Sequence, residues 1–186
     1  MKKLTILVDL DDTAEDLLGA WCLWLNNHYG TEFCPDDITT WDLSDKFAPL
    51  TKQQVFQPLQ TAGFWKTVQP KPEAQLYLRK LTDDGHDVYF VSATHYTSAF
   101  VKQVHMVERL FPFVDWDHII FTENKQMILG DVIVDDGLHN LLGSDKHKLM
   151  MDAPHNRGID AAMFGIKRVH SWQEIYDAIS AIAEAE

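Results

Sequence analysis

Three aspartates follow a short, mostly apolar segment near the start of the chain. Residues 4–8 (LTILV) have strand-forming side chains, and Asp9, Asp11 and Asp12 come directly after them. Two carboxylates about 4 Å apart repel each other by roughly 4 kcal/mol at an effective dielectric constant of about 20. Asp9 and Asp11 are two residues apart, so in an extended segment their side chains point the same way. A divalent cation would offset this repulsion, and such hard oxygen ligands suit Mg²⁺.

Further polar residues follow later apolar segments. Ser92 ends one such segment, Asp135 and Asp136 end another, and Lys125 lies between the two. Each has a simpler explanation: helix capping for Ser92 and for the first aspartates, a turn before Gly137 for the acidic pair, and a solvated charge for Lys125. The occurrence of all four features in this order favours one shared site.

The elements that would position these residues alternate along the chain. Strand-length apolar segments alternate with segments of helical periodicity, which predicts an α/β fold with a Rossmann-like parallel sheet between two helical layers. Ligands bind beyond the carboxyl ends of the strands in such sheets. The predicted strands are 4–8, 87–91, 118–121 and 131–134, with weaker candidates at 148–151 and 161–164. The predicted helices are 72–81, 97–110 and 171–183.

One region interrupts this alternation. Residues 15–69 contain helical stretches and four of the six tryptophans but no convincing strand. We interpret them as a small helical cap inserted after the first strand, over a core domain formed by residues 1–14 and 70–186. The alternative is an irregular helical layer packed on that core.

Composition limits the classes of partner. The formal net charge is −12, and a field of this sign repels nucleic acid polymers and anionic lipid. No apolar run approaches the ~20 residues of a membrane span. The two cysteines lack zinc-site spacing and the segment before Asp9 is too short for a signal peptide, so we expect free thiols and a cytoplasmic protein.

The order of the polar motifs resembles that of the haloacid dehalogenase superfamily of phosphatases. The first motif of that superfamily corresponds to residues 9–13 (DLDDT), the second ends at Ser92, the third is Lys125 and the fourth is Asp135-Asp136. The resemblance spans nearly the whole chain, and the first motif is its most specific part. It implies the superfamily's three-layer core together with a cap.

A closer resemblance is to the 5′(3′)-deoxyribonucleotidases of this superfamily. It rests on residues 63–65 (GFW), 70–74 (PKPEA), 128–136 (ILGDVIVDD), 155–157 (HNR) and 171–172 (SW). It implies an Mg²⁺-dependent phosphomonoester hydrolase that dephosphorylates nucleoside monophosphates through an aspartyl-phosphate intermediate.

This resemblance implies a role for each motif residue. Asp9 would be the nucleophile and Asp11 the general acid and base. Ser92 and Lys125 would bind the phosphoryl oxygens. The metal ligands would be the Asp9 carboxylate, the Asp11 backbone carbonyl and Asp136. Asp135 would support the metal site and orient Lys125.

Two positions depart from the family pattern. The second motif is Ser92-Ala93-Thr94, where family members often have Thr-Ser-Pro, so Ala93 lacks a hydroxyl that Thr94 could replace. Leu17 occupies a cap position that is aromatic in the family. Both departures leave the phosphatase chemistry intact and the base preference open.

The cap supplies further candidates for substrate binding. Phe64 and Trp65 could stack on a base or ribose, or could equally pack in the core. Lys66 could contact the phosphate or solvent. With Ser92, Ala93, Thr94 and Lys125, these residues form the predicted substrate-binding set.

Other functions remain open at this point. The substrate could be another small phosphate ester, such as a sugar phosphate or a phospho-amino acid. A different class is a receiver-like module that accepts a phosphoryl group as a signal; Asp11 argues against it, because an acid-base group two residues after the nucleophile promotes dephosphorylation. The protein could also be a homodimer.

Overall fold

A six-stranded parallel sheet lies at the centre of the molecule. The computed structural model describes residues 2–41 and 46–185. The strands follow the order β3-β2-β1-β4-β5-β6, and all five neighbouring pairs are parallel. The strands are β1 (Thr5–Val8), β2 (Asp87–Ser92), β3 (Ile119–Phe121), β4 (Val132–Asp135), β5 (His147–Met151) and β6 (Lys167–Val169).

Helices cover both faces of this sheet, as parallel strands require. Two hydrophobic clusters lie on opposite faces of β1, because Ile6 and Val8 belong to one cluster and Leu7 belongs to the other. The helices are α1 (Leu17–Tyr29), α2 (Lys52–Phe56), α3 (Ala62–Trp65), α4 (Ala74–Asp83), α5 (Tyr96–Lys102), α6 (Glu108–Leu110), α7 (Leu138–Leu141) and α8 (Trp172–Ala185). None of the described helices is both long and apolar enough to cross a bilayer.

The structure confirms the predicted α/β fold class and corrects two of its elements. Residues 161–164, a weaker strand candidate, form the 3₁₀ helix Ala161–Phe164, and the last strand is β6 instead. This short edge strand begins with Lys167 and Arg168, so it lacks the apolar run that marks the central strands. The predicted helix 97–110 is divided by a π-helical segment, Gln103–Val107, between α5 and α6.

The described part of the predicted cap contains helices and no strand. Its two connections to the sheet run side by side: Asp16 N donates to Gln69 O (2.9 Å) and Lys71 N donates to Ala14 O (3.0 Å). Cap and core side chains share one continuous hydrophobic cluster. The division into 1–14 with 70–186 and 15–69 stays a prediction, and its residues 1, 42–45 and 186 lie outside the described residues.

His86 links the turn before β2 to the start of β1 through a hydrogen bond. Because its ring can be protonated, this bond should make the stability of the fold depend on pH. Leu4 N donates to His86 Nδ1 (3.2 Å), so this nitrogen must be unprotonated in the fold. Burial lowers the pKa of His86, with the nearby Asp84 charge opposing the shift. Because the unfolded chain then binds a proton more readily, stability should fall as the pH drops below ~6.5.

The variant His86→Asn keeps an acceptor at the Nδ1 position without a titrating ring. We expect the free energy of unfolding of the unmodified protein to fall more than that of His86→Asn between about pH 7.5 and 5.5. Urea unfolding at both pH values measures the difference. Equal losses in the two proteins would contradict the role of His86.

Candidate active site

The carboxyl ends of β1 and β4 bring three acidic side chains together. Asp9 follows β1, Asp135 ends β4, and Asp136 comes next in the chain. These strands are neighbours in the sheet, and Asp9 N continues their pairing by donating to Val134 O (2.9 Å). One carboxylate oxygen from each of the three residues lies within 4.8 Å of the others. The sequence therefore predicted correctly that positions 9 and 136 converge.

Lys125 supplies the buried positive charge between two of these acids. Its Nζ lies 2.6 Å from Asp9 Oδ1 and 2.7 Å from Asp135 Oδ2, and its side chain is only 2% exposed. Burial alone would lower the pKa of Lys125, but the two carboxylates raise it, so the lysine stays charged. Burial raises the pKa of Asp9 well above its usual value, and Lys125 opposes that shift.

Asp135 already has partners for both carboxylate oxygens. Oδ2 accepts from Lys125, while Oδ1 accepts from Gly137 N (2.8 Å) and from Asn140 Nδ2 (2.9 Å). Its side chain is fully buried. These contacts fit the predicted role of Asp135, which is to orient Lys125 and to support the metal site.

Asp136 differs because one of its oxygens has no partner in the part of the chain that the structure describes. Within those residues, its Oδ1 is buried without a hydrogen bond, while Oδ2 lies 3.2 Å from His155 Nε2. The backbone carbonyl of Asp136 accepts from Asn156 Nδ2 (2.9 Å), which fixes its position. A buried carboxylate oxygen without a partner is costly unless a ligand such as a cation binds it. The donor set therefore fits a hard cation between Asp9 and Asp136.

Asp11 is held by a lysine that the sequence analysis missed. Lys102 Nζ forms an ion pair with Asp11 Oδ1, and it also donates to Ser92 Oγ (3.0 Å) and Thr94 Oγ1 (3.1 Å). Burial raises the pKa of Asp11, but the positive charges of Lys102 and Lys125 and the hydrogen bonds to this carboxylate together outweigh burial, so the net shift is downward. The sequence offers no signal for Lys102, because a lysine in a helix usually lies at the surface and its burial is seen only in the structure.

Two further acids lie beside Asp11. Glu15 is fully buried, and burial together with the negative charge of Asp11 raises its pKa well above the usual value. Asp12 Oδ1 accepts from Leu18 N (3.0 Å) in the first turn of α1, so the capping role considered for this segment falls to Asp12. Burial raises the pKa of Asp12 to about 7.

A cavity of about 590 Å³ opens in front of these groups. Its polar end contains Asp9, Asp11, Lys125 and Asp136. Its other walls are mostly apolar or aromatic and come largely from the predicted cap. The lining residues there include Leu17, Leu18, Trp21, Ile38, Trp41, Phe56 and Leu59, with Lys52, His139 and His155 among the polar ones.

The structure does not bring every predicted substrate-binding residue to this cavity. Phe64 and Trp65 are 0% and 2% exposed, belong to the hydrophobic core and do not line the cavity. The prediction that they stack on the substrate is therefore wrong, and the core-packing alternative is right. Lys66 is exposed and also lies outside the lining.

The second motif is divided between the cavity and the core. Ala93 is exposed and lines the cavity, whereas Ser92 is fully buried behind it. Thr94 is half-buried, and its Oγ1 lies 2.9 Å from Ser92 Oγ. Both hydroxyls contact Lys102 rather than lining the cavity.

Comparisons with known proteins identify the family that this chain matches. The family described as "5' nucleotidase, deoxy (Pyrimidine), cytosolic type C protein" matches residues 2–185. A 5′(3′)-deoxyribonucleotidase of Clostridium acetobutylicum is 30% identical over 174 residues, which cover 94% of this chain and 93% of that protein. A Bacillus subtilis (strain 168) 5′(3′)-deoxyribonucleotidase is 30% identical over 176 residues, which cover 94% and 97%.

Solved structures share the fold at lower sequence identity. A haloacid dehalogenase family hydrolase from Deinococcus radiodurans R1, solved with bound phosphate and sodium, aligns with a TM-score of 0.62 and 14% identity over 95% of both chains. A haloacid dehalogenase-like protein from Agrobacterium tumefaciens aligns with a TM-score of 0.59 and 13% identity over 96% of this chain and 98% of that one. These similarities establish the fold.

Proposed function

The chain belongs to the family of deoxy (pyrimidine) cytosolic type C 5′ nucleotidases, which are phosphoric monoester hydrolases, and we propose that it dephosphorylates deoxyribonucleoside monophosphates with the help of Mg²⁺. The observation that carries this proposal is the convergence of Asp9, Asp11, Lys125 and Asp136 at one end of a cavity with apolar walls. The polar end suits a phosphate, and the apolar walls suit a nucleoside.

The proposed reaction has two steps that share the same groups. In the first, an oxygen of Asp9 attacks the phosphorus, the bond from phosphorus to the ester oxygen breaks, and Asp11 donates a proton to that oxygen. In the second, Asp11 takes a proton from water as the water oxygen attacks the phosphorus. Phosphate leaves, and the carboxylate of Asp9 is restored.

The surrounding residues support both steps. Lys125 keeps a positive charge beside Asp9, which favours the ionised nucleophile and offsets the negative charge of the phosphoryl group. Asp135 fixes the position of Lys125. The predicted contact of Ser92 with the phosphoryl group is not part of this proposal, because its buried hydroxyl contacts Lys102 and does not line the cavity.

The metal ion would be held by the Asp9 carboxylate, the Asp11 backbone carbonyl and Asp136. When bound, Mg²⁺ would supply positive charge that neutralises the carboxylates and the phosphate. The unpartnered Oδ1 of Asp136 supports this ligand set.

A substrate panel tests the proposal. We expect the protein to release phosphate from deoxyribonucleoside monophosphates more efficiently than from sugar phosphates or phospho-amino acids of similar charge, measured as kcat/KM. A preference for one of the latter would assign the site to another phosphate ester. A long-lived phosphoprotein without turnover would instead support the receiver-like function. A cytoplasmic location and a homodimer stay predictions.

Removal of the metal should abolish activity and lower stability. We expect a chelator to stop phosphate release and Mg²⁺ at about 100 times its dissociation constant to stabilise the protein by roughly 2.7 kcal/mol, seen as a higher Tm. Asp136→Asn should lose most of that Tm shift, because a neutral amide replaces a charged ligand.

The control for this experiment is Asp117→Asn, which removes an exposed carboxylate that pairs with His118 instead. This variant should keep the full Mg²⁺-dependent Tm shift. The same shift in Asp136→Asn, or full activity in the presence of the chelator, would contradict the assigned metal site.

A further inference from the structure

Lys102 is a fully buried lysine whose three hydrogen-bonding partners all lie in or beside the proposed active site. It is the last residue of α5, and its side chain is 0% exposed. Its Nζ contacts Asp11 Oδ1, Ser92 Oγ at 3.0 Å and Thr94 Oγ1 at 3.1 Å. A buried charge is costly unless it is paired and hydrogen-bonded, so such an arrangement needs an explanation.

A π-helical segment and an aromatic ring lie next to Lys102. The π-helical segment Gln103–Val107 begins immediately after it, and Glu108 N donates to Gln103 O, five residues back. Short π-helical segments inside α-helices are frequently found at functional sites. The ring of Trp65 lies 5.2 Å from Nζ and forms a cation–π contact with it. This contact gives the core position of Trp65 an indirect link to the site.

The hydrogen bonds of Lys102 exclude direct binding of a phosphate oxygen and indicate that it holds the carboxylate of Asp11. An ammonium group has three donors, and here all three point at protein oxygens. Lys102 does not line the cavity, so it has neither a free donor nor access for a phosphate oxygen. The carboxylate of Asp11, in contrast, is held between Lys102 at Oδ1 and Ser92 Oγ, 3.5 Å from Oδ2.

We propose that Lys102 is the positioning residue for Asp11: it fixes the orientation of the Asp11 carboxylate so that this group delivers its proton to the leaving oxygen of the ester. This inference rests on the proposed function, because it assigns Asp11 the role of general acid. Lys102 touches neither substrate nor metal in this scheme. It acts by holding Asp11, Ser92 and Thr94 as one rigid group. Because its positive charge lowers the pKa of Asp11 and so disfavours the protonated acid, its contribution to proton delivery is this orientation alone.

This role predicts a dependence on the leaving group. When the bond from phosphorus to oxygen breaks, the electron pair stays on the ester oxygen, and a basic alkoxide needs the proton from Asp11. A weakly basic leaving group such as p-nitrophenolate departs without it. Loss of the positioning residue should therefore slow reactions with basic leaving groups selectively.

The experiment compares Lys102→Met with the unmodified protein on two substrates, thymidine 5′-monophosphate and p-nitrophenyl phosphate. Methionine has similar length and can pack on Trp65. Because general acid catalysis contributes about 10²–10⁴-fold, we expect kcat/KM to fall about 100-fold for the nucleotide and no more than about 5-fold for p-nitrophenyl phosphate. Lys102→Arg, which keeps a cation, should recover part of the nucleotide activity.

Lys71→Met is the matched control. Lys71 is a partly buried lysine that also pairs with acids near the first motif, but its partners are Asp16 (2.9 Å) and Asp12 (3.6 Å) rather than Asp11. Its removal should change kcat/KM for both substrates by the same factor. If Lys102→Met does not fold, Thr94→Val removes one hydrogen bond to the ammonium group and should show the same selectivity to a smaller degree.

The outcomes separate this inference from the proposed function. Equal losses on both substrates in Lys102→Met, or in Thr94→Val if the first variant does not fold, would overturn the positioning role while leaving the phosphatase assignment intact. Absence of phosphate release from both substrates by the unmodified protein would overturn both.

Discussion

Asp9→Asn should abolish phosphate release, lowering kcat by ~10⁴-fold or more, because an amide oxygen is a far weaker nucleophile than a carboxylate. Among the acids that line the cavity, Asp9 is the one in contact with Lys125. Steady-state phosphate release with saturating Mg²⁺ measures the loss.

The fold should survive this substitution. Lys125 keeps Asp135 as its partner, at 2.7 Å, and the removal of one carboxylate relieves repulsion within the acidic cluster. The free energy of unfolding in urea should therefore stay the same or rise. Turnover within tenfold of the unmodified rate would exclude Asp9 as the nucleophile.

Lys125→Met should have the largest effect on stability. It leaves Asp9 and Asp135 buried without their shared counter-charge, and removal of one partner from a buried ion pair costs about 3–5 kcal/mol. We expect a loss of this size in the free energy of unfolding at neutral pH without Mg²⁺, together with loss of activity. The loss should shrink in acid, because protonation of the two carboxylates removes the unpaired charge.

Two variants define the origin of this effect. Lys3→Met removes a lysine that pairs with Asp87 at the surface (3.0 Å, side chains 63% and 39% exposed), and it should cost about 0.5 kcal/mol or less. The double variant Lys125→Met/Asp135→Asn should recover part of the stability lost in Lys125→Met. If Lys125→Met is as stable as Lys3→Met, the buried ion pairs of Lys125 with Asp9 and Asp135 do not stabilise the fold.

The order of the motifs was enough to predict the central part of the site. Asp9, Ser92 and Asp135-Asp136 each lie at the end of an apolar segment, and parallel strands place all their carboxyl ends at one edge. Their convergence follows from strand direction and neighbour order, which the alternating pattern already indicates. Lys125 was found only through its place between two strands, and the structure places its ammonium group against Asp9 and Asp135.

The sequence determined the fold class, most strand positions and the acidic cluster, because these depend on local periodicity and on the direction of parallel strands. Only the tertiary structure decided which side chains of the helices face the cavity. Phe64 and Trp65 look like substrate contacts in the sequence and pack in the core, whereas Trp41 and Phe56 line the cavity. Lys102 looks like a surface charge and is buried against Asp11. The physical reason is that the orientation of short helices, and the burial of a charge, depend on partners far away in the chain, and residue type alone does not encode those partners.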